Sequence, residues 1–295
     1  MMWLKERILK WFQFLVLRFI KNGELPKHVA LIMDGNRRYA NRHNLTKAEG
    51  YSKAFDKMIE MIYLCRDLGI AEVTAYAFSI NNFKRSKEEV DGLMDLARQK
   101  FKRLLEEKEK LKDGGICIRV IGNWSLIPED LCKLFAEIMT VTRENNRIIL
   151  NFAASYASKN EITHVIKDIT QGVQDADILP EDINEGLITD CLYTYKSSNP
   201  DLLIRTSGIT RLSDFLLWQI SDTCIYFSEV LWPEFNLWNF LSAIFSYQKC
   251  HSSLQKNRKK SKPIVHNNRV SKFINKLHNK REITIENIYL SPNGG

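Results

Sequence analysis

The sequence predicts an α/β fold: an open, largely parallel six-stranded sheet flanked by helices. Three observations support this prediction. Short apolar runs rich in β-branched and aromatic residues alternate with longer segments of helical periodicity. Signals that begin or end helices separate the two kinds of segment. No internal repeat or low-complexity linker divides residues 23–250, so we expect these elements to form one domain around one sheet.

Each predicted strand is a short run of apolar residues. The strands are His28–Met33, Glu72–Phe78, Ile116–Ile121, Arg147–Ala154, Asp201–Thr206 and Cys224–Phe227. Between the first two, Lys47–Leu68 has helical periodicity and ends before a glycine. A Ser-Lys-Glu-Glu capping box at residues 86–89 opens a helix that stops at Gly114. Pro128 suits the first turn of a helix that runs to about Glu144.

The formal net charge of +8 lies in the C-terminal part of the chain. Residues 251–295 contain ten Lys or Arg against two Glu, and the remaining 250 residues are neutral. We expect a basic tail, either solvated and partly helical or disordered, or attracted to an anionic membrane surface or an acidic partner. Nucleic acid is disfavoured because no aromatic-interleaved basic module accompanies the charges. The six cysteines contain no C-x-x-C, so a zinc site is not expected.

Residues 1–22 predict an amphipathic helix. Apolar residues recur there at helical spacing, as at Leu4, Ile8, Phe12, Leu15 and Phe19. Basic residues interrupt the run, and a bilayer span needs about 20 apolar residues. No signal-peptide cleavage site follows. The helix is expected either to cover an apolar groove of the body or to lie at a membrane interface.

A segment suited to phosphate follows the first predicted strand, where such sheets bind ligands. It reads Asp34, Gly35, Asn36, Arg37, Arg38. The glycine permits close backbone approach, amides at a helix start bind anions, and arginines add bidentate contacts. A carboxylate beside phosphates needs a cation, and Mg²⁺ is commonly held by one carboxylate and substrate phosphates. An Asp-Gly turn with surface arginines is the alternative.

Two later strands lead into segments of similar character. They contribute Ser79, Asn82 and Arg85 after Glu72–Phe78, and Arg205, Arg211 and Ser213 at the end of Asp201–Thr206 and beyond. The segments after His28–Met33 and Asp201–Thr206 could each bind one diphosphate. Two such anion-binding segments with a single acid predict two phosphorylated substrates. The P-loop and G-x-G-x-x-G signatures are absent. Each segment alone could be a polar surface loop.

Four segments closely resemble the sequential signatures of the cis-prenyltransferase family. They are His28–Ala40, Ala77–Arg85, Arg205–Gln219 and Val230–Glu234. They occur in family order and spacing between about Pro26 and Cys250. The patterns D-G-N-R-R-Y-A and I-R-T-S-G-x-x-R-L-S-D-F-L-L-W-Q are specific, and the variants resemble the eukaryotic subunits that make dolichol precursors.

The resemblance implies a catalytic domain at residues 23–250 and a role for each motif residue. Asp34 would organise Mg²⁺ and the diphosphates. The allylic substrate, farnesyl diphosphate, would be held by Gly35, Asn36, Arg37, Arg38 and Arg85. Isopentenyl diphosphate would be held by Arg205, Arg211 and Ser213. Asn82 and Ser79 would assist proton removal or positioning. The implied product is a long cis-polyprenyl diphosphate, the dolichol precursor for protein glycosylation.

The chain departs from the family pattern at several positions. Lys47, Tyr51, Asn81 and Ile209 stand where Arg, His, Glu and acidic residues are usual. Cys224 stands where bacterial single-subunit relatives have a Glu that is expected to contact metal. The R-x-G motif that ends those enzymes is also missing. Asp34 and both anion-binding segments are retained, which favours a catalytic subunit over a non-catalytic scaffold or regulatory subunit of the same fold.

These departures imply a partner subunit. The resemblance points to a membrane-anchored protein similar to the Nogo-B receptor, which would supply the R-x-G motif. We expect it to dock near Val230–Phe245, where Trp232, Phe235, Trp238 and Phe240 concentrate. It would place the chain peripherally on the cytosolic face of the endoplasmic reticulum membrane.

Overall fold

The computed structural model describes residue 20, residues 22–260 and residues 265–291. The chain divides into two compact units. The first comprises Met1–Val73, Pro200–Thr210 and Asp222–Lys260, and the second comprises Thr74–Asn199, Arg211–Ser221 and Ser261–Gly295. The predicted division into residues 1–22, 23–250 and 251–295 stays a prediction. Most of the predicted N-terminal helix falls outside the described residues.

Six strands form one sheet. They are β1 (His28–Ile32), β2 (Glu72–Ser79), β3 (Ile116–Ile121), β4 (Ile148–Tyr156), β5 (Leu202–Arg205) and β6 (Cys224–Phe227). The strand order is β3-β4-β2-β1-β5-β6. The pairs β1–β5, β5–β6 and β3–β4 all run parallel. The predicted six-stranded, largely parallel α/β sheet is confirmed.

Helices connect the strands. They are α1 (Asn36–Arg42), α2 (Lys47–Leu68), α3 (Lys87–Glu106), α4 (Lys108–Gly114), α5 (Glu129–Val141), α6 (Ser158–Gln174), α7 (Glu185–Cys191), α8 (Leu237–Lys260) and α9 (Asn268–Leu290). The helix predicted from residue 86 to Gly114 divides at Glu107, with φ −93° and ψ 22°. The helix predicted to reach about Glu144 ends at Val141. There the Thr142 hydroxyl donates to the Ile138 carbonyl and accepts from the Ile118 amide.

The first unit packs α2 and α8 around apolar strands. All five residues of β1 are buried, as are Met58, Met61 and Cys65 on one face of α2. Trp232 is fully buried, and its indole nitrogen donates to the Ala54 carbonyl at 2.9 Å. Burial of these side chains supplies most of the local stability and holds the carboxyl end of β1 in place.

Apolar packing among the described residues of the second unit includes an aromatic cluster and a helical cluster. In one, the rings of Phe101, Phe135 and Phe152 pack edge to face. In the other, α6 and α7 pack against four buried residues of α9: Val270, Phe273, Ile274 and Leu277. Asp182 fastens the start of α9 through Asn267 and Arg269. Residues 268–290 of the predicted basic tail are therefore a helix docked on apolar core.

Candidate active site

Backbone and side-chain contacts hold Asp34, two residues beyond β1. Its amide donates to the Thr206 hydroxyl at 3.0 Å, and that hydroxyl donates to the Asp34 carbonyl at 2.8 Å. The Gly35 amide donates to Asp34 Oδ1 at 2.7 Å. The Asp34 side chain is 40% exposed. The carboxylate therefore has a fixed direction and remains open to a ligand.

Arg205 forms an ion pair with Asp34. Arg205 Nη2 lies 2.8 Å from Asp34 Oδ2, and the arginine side chain is only 3% exposed. Parallel pairing places Ile32 of β1 beside Arg205 of β5, which brings the two side chains together just beyond the strand ends. A buried cation needs a partner, so Asp34 also neutralises Arg205. The family resemblance implied that Asp34 organises Mg²⁺ and both diphosphates and that Arg205 binds isopentenyl diphosphate, and the structure places the two side chains in direct contact.

Gly35 turns the chain from β1 into α1. Its φ of 103° is one that L side chains rarely adopt. A Cβ there would lie 2.8 Å from Leu231 Cδ2 and 3.0 Å from Ser207 Cβ. The backbone of Gly35 is thus closely packed against the segments that follow β5 and β6, and a side chain would displace the adjacent Asp34.

Polar groups of α1 and the loop after β5 lie near this turn. Arg37 and Arg38 are exposed, and Arg38 Nη2 donates to the Ser207 carbonyl at 2.8 Å. Asn36 Nδ2 donates to the Met33 carbonyl at 3.2 Å. Within the described part of the chain, Asn36 Oδ1 and Ser207 Oγ are buried without a hydrogen-bond partner. Such groups are costly unless something binds them, so they mark a place for a ligand.

In the second unit, Ser79, Asn82 and Arg85 form a hydrogen-bonded turn between β2 and α3. Asn82 Oδ1 accepts from the Ser79 amide at 3.0 Å, and its carbonyl accepts from the Arg85 amide at 3.1 Å. Arg85 Nη1 donates to Glu89 Oε1 at 2.9 Å. An amide side chain whose oxygen is engaged can donate through nitrogen but cannot take up a proton. The geometry therefore favours positioning over proton removal for Asn82.

The loop that carries Arg211 and Ser213 has unusual backbone conformations. Ser213, Asp214 and Leu216 have φ of 52°, 61° and 49°, in the left-handed region that costs non-glycine residues about 1–2 kcal/mol each. The start of α6 holds this loop. The Ser158 amide donates to the Asp214 carbonyl at 2.8 Å, and the Leu217 amide donates to Ser158 Oγ at 3.0 Å. Arg211 is exposed and Ser213 is half-buried.

Tyr76 of β2 links this loop to the strand that leads to Ser79. Its hydroxyl lies 3.2 Å from both the Ser213 and the Tyr156 carbonyl oxygens. Its ring stacks on Phe215 with centroids 4.3 Å apart and an 11° interplanar angle. Sequence reasoning missed Tyr76, because an aromatic residue inside a predicted strand has the pattern of ordinary core.

Glu161 is a fully buried acid behind the loop. It accepts from the Tyr156 hydroxyl at 2.6 Å, the Gln219 side chain at 2.9 Å and the Tyr193 amide at 2.8 Å. Burial raises the pKa of the Glu161 carboxyl, although all three hydrogen bonds lower it. Gln219 ends the L-L-W-Q segment, so this network ties the loop to α6. Sequence reasoning also missed Glu161.

The structure thus groups the predicted residues within each unit. The first holds Asp34, Gly35, Asn36, Arg37, Arg38 and Arg205, and the second holds Ser79, Asn82, Arg85, Arg211 and Ser213. A family model for undecaprenyl diphosphate synthase matches residues 32–255. This range covers most of the chain and every one of these residues. The chain belongs to the undecaprenyl diphosphate synthase family of cis-prenyltransferases.

Named relatives in this family are similar to the chain in sequence and in structure. The dehydrodolichyl diphosphate synthase complex subunit DHDDS of Homo sapiens is 52% identical over 258 residues, covering 88% of this chain and 78% of that protein. A tritrans,polycis-undecaprenyl-diphosphate synthase of Pyrococcus abyssi is 42% identical, covering 79% and 88%. The structure of lavandulyl diphosphate synthase from Lavandula x intermedia with dimethylallyl diphosphate has TM-score 0.71 and 32% identity, covering 76% and 95%. The chain is a transferase of prenyl groups.

The sequence singled out Cys224 and the segment Val230–Phe245, and the structure shows where each lies. Cys224 pairs with Leu202 at the first residues of β6 and β5, three positions before Arg205, or about 10 Å along the strand. A Glu at this position would therefore not join Asp34 within this chain. In Val230–Phe245, Trp232, Phe235 and Phe240 are fully buried core, while Trp238 and Phe245 are exposed.

The donor set of this cis-prenyltransferase fits Mg²⁺ held jointly with substrate. Within the described residues, no group of three or more His, Cys, Asp or Glu could hold a metal by itself. Asp34 provides one oriented, partly exposed carboxylate, and Mg²⁺ commonly binds one or two carboxylates together with substrate phosphates. The buried Ser207 hydroxyl nearby could donate to such a phosphate. The residues present therefore suit a metal that arrives with diphosphate.

Proposed function

We propose that this chain is the catalytic subunit of a dehydrodolichyl diphosphate synthase. It adds isopentenyl diphosphate units in cis to farnesyl diphosphate, giving the long polyprenyl diphosphate from which dolichol for protein glycosylation derives. The observation that carries this proposal is the Asp34 carboxylate, fixed by Gly35, Thr206 and Arg205 yet accessible to a ligand. The similarity to the human complex subunit supports the substrate assignment.

Residues of the first unit bind and orient diphosphate. Asp34 would hold Mg²⁺ together with the substrate phosphates, and the metal would supply charge neutralisation for the departing diphosphate. Gly35 and Asn36 present backbone to the allylic diphosphate, and Arg37 and Arg38 provide guanidinium donors from the exposed start of α1. Arg205, which is paired with Asp34, contributes its guanidinium to the isopentenyl diphosphate site.

Residues of the second unit are proposed to bind diphosphate as well. Arg85 donates to the allylic diphosphate, and Glu89 sets the direction of its guanidinium. Arg211 and Ser213 bind isopentenyl diphosphate, presented by the strained loop on α6. Asn82 and Ser79 position isopentenyl diphosphate as it loses its proton.

The reaction forms one carbon–carbon bond and breaks one carbon–oxygen bond. The double bond of isopentenyl diphosphate attacks C1 of the allylic substrate as that substrate's diphosphate leaves, and a proton then passes from C2 of the former isopentenyl unit to the released diphosphate. Charge builds on the leaving diphosphate, so preorganised arginines and amide groups lower the barrier most.

A partner subunit and a membrane location complete the proposal. The partner resembles the Nogo-B receptor, supplies the R-x-G motif and holds the chain on the cytosolic face of the endoplasmic reticulum. The matched human protein is named as a subunit of a complex. Exposed apolar side chains on β6 and α8 offer a docking surface: Ile225, Phe227, Trp238 and Phe245. Among the described residues, no helix is both long and apolar enough to cross a bilayer.

The test of activity is incorporation of labelled isopentenyl diphosphate into butanol-soluble product, with farnesyl diphosphate and Mg²⁺. We expect product from the chain together with its partner, and little from the chain alone. Full turnover by the isolated chain, unchanged when the partner is added, would refute the shared site. No turnover under either condition would instead favour the non-catalytic subunit.

The docking surface is tested by a charge at its exposed residues. Trp238→Glu and Phe245→Glu should each weaken capture of the partner and reduce partner-dependent turnover, while circular dichroism stays unchanged. Ile183→Glu is the matched control, because Ile183 is also exposed but lies in the second unit. Equal capture by all three variants would place the partner elsewhere.

A further inference from the structure

A cavity of about 250 Å³ lies in the second unit beside the second half of α9. β3 contributes Arg119 and Ile121 to its wall, α5 contributes Met139, and α9 contributes Ile285 and Ile288. Pockets for drug-sized ligands occupy about 300–1,000 Å³, so this cavity suits a smaller molecule. None of its lining residues belongs to the proposed diphosphate site.

Most of the cavity wall is apolar. Trp124, Met139, Ile285 and Ile288 all line it and are only half-buried, so each retains apolar surface that nothing else in the described chain fully covers. Covering such surface with hydrocarbon removes it from water and is favourable in proportion to the area covered. The wall therefore suits an aliphatic chain.

The charged residues of the wall are mainly basic. Arg119, Lys196 and Arg281 line the cavity together with one acid, Glu282. Lys196 is already paired with Glu282. Arg281 is paired with Asp168 at 3.0 Å. These pairs fasten α9 to its surroundings and leave the positive charge of Arg119 to be balanced.

Arg119 is the group available to an anion. Its Nη1 donates to the Lys196 carbonyl at 3.0 Å, and within the described residues its guanidinium makes no ion pair. Guanidinium carries five N–H donors and matches the paired oxygens of carboxylate or phosphate. Beside an apolar wall, this donor set fits the head group of an amphiphile.

We propose that this cavity binds a small single-chain anionic amphiphile. The hydrocarbon packs against Met139, Ile285 and Ile288, and the head group pairs with Arg119. The anion is a carboxylate, as in a fatty acid, or a phosphate, as in a prenyl monophosphate. The bound molecule joins α9 to β3 and stabilises the docked helix. This binding does not depend on the proposed catalytic function.

Isothermal titration calorimetry with octanoate and with geranyl monophosphate tests the site on the full chain with its partner, in the presence of saturating farnesyl diphosphate. Octanol and geraniol are the uncharged comparisons. Arg119→Gln should weaken both anions about ten-fold or more, as expected for a lost charge-assisted hydrogen bond. Ile288→Trp should fill the cavity and abolish binding. The anion that binds more tightly identifies the head group.

Two matched variants control for fold and charge. Arg103→Gln removes an exposed arginine of α3, and Ile283→Trp enlarges an exposed side chain of α9 that does not line the cavity. Neither should change affinity. The proposal is overturned if neither anion binds, if the alcohols bind as tightly as the anions, or if Ile288→Trp leaves binding intact. Competition by isopentenyl diphosphate would also overturn it, because the probe would then occupy a substrate site.

Discussion

Asp34→Asn separates the proposed role of Asp34 in metal binding from its observed ion pair with Arg205. The substitution keeps the shape of the side chain and removes the charge opposite Arg205. Breaking a buried ion pair by losing one partner costs about 3–5 kcal/mol. Because the Asp34 side chain is 40% exposed, solvent offsets part of that loss. We expect a fall of about 1–3 kcal/mol in the free energy of unfolding.

The effect on turnover should be larger and independent of stability. Loss of a metal-organising carboxylate removes several kcal/mol of transition-state stabilisation. Each 1.36 kcal/mol is a factor of ten, so turnover should fall at least about a hundred-fold. Thermal unfolding gives the first quantity, and incorporation of labelled isopentenyl diphosphate at saturating Mg²⁺ gives the second.

A double variant distinguishes the roles. Asp34→Asn with Arg205→Met removes both charges, so stability should return toward that of the native chain. Turnover should stay low, because the carboxylate and a proposed isopentenyl diphosphate donor are both lost. Asp67→Asn is the control, because Asp67 is 63% exposed in the same unit. If Asp34→Asn alone turned over normally, or if the double variant regained turnover with its stability, the carboxylate would have no role beyond balancing Arg205.

Four further substitutions test the binding residues and the buried network. Arg211→Ala should raise the KM for isopentenyl diphosphate about ten-fold or more, and Arg85→Ala should raise the KM for farnesyl diphosphate by a similar factor. If either variant raised both KM values equally, the two-site assignment would be wrong. Tyr76→Phe keeps the ring and loses the hydroxyl contact to Ser213, so the KM for isopentenyl diphosphate should rise about five-fold while Tyr195→Phe changes neither constant. The fold raises the pKa of the Glu161 carboxyl, so this group stabilises the folded state. Its contribution to the free energy of unfolding is complete below the unfolded pKa of 4.5 and is lost as pH rises through the folded pKa. Glu161→Gln should therefore remove a loss of stability above pH 4.5 in denaturant titrations, and an unchanged pH profile would show that the fold does not raise the pKa of this carboxyl.

Strong local signals explain which elements the sequence predicted well. The bounds of β3 and β6 agree with prediction because each is a compact, mostly apolar run bounded by glycine or small polar residues. α2 ends where predicted because Gly69 adopts φ 88° and closes the helix. In contrast, the docked helix α9 was not predicted, because the net positive charge of residues 251–295 indicated a solvated tail. The apolar residues Val270, Phe273, Ile274 and Leu277 have the spacing of a buried helix face and are the signal that could have revealed it.

The motif positions of the site were predictable, but their contacts were not. A polar segment after each strand indicated Asp34 and Arg205 separately. Their ion pair depends on β1 and β5 being neighbours, although about 170 residues separate them in sequence. Strand order of this kind is set by packing of the whole sheet and is not visible in either segment.

The backbone conformation of the strained loop at Ser213, Asp214 and Leu216 was also not predictable from the local sequence. Local preference opposes a left-handed conformation at Ser213, Asp214 and Leu216, and no glycine marks these positions. The fold sustains it through hydrogen bonds that the loop forms with Tyr76 and Ser158, each more than 50 residues away in sequence. Such contacts can offset about 1 kcal/mol each, which is comparable with the strain at each residue. The loop therefore holds Ser213 in one conformation only while the rest of the second unit is folded, and stability of that unit and affinity for isopentenyl diphosphate should decline together in variants that loosen these contacts.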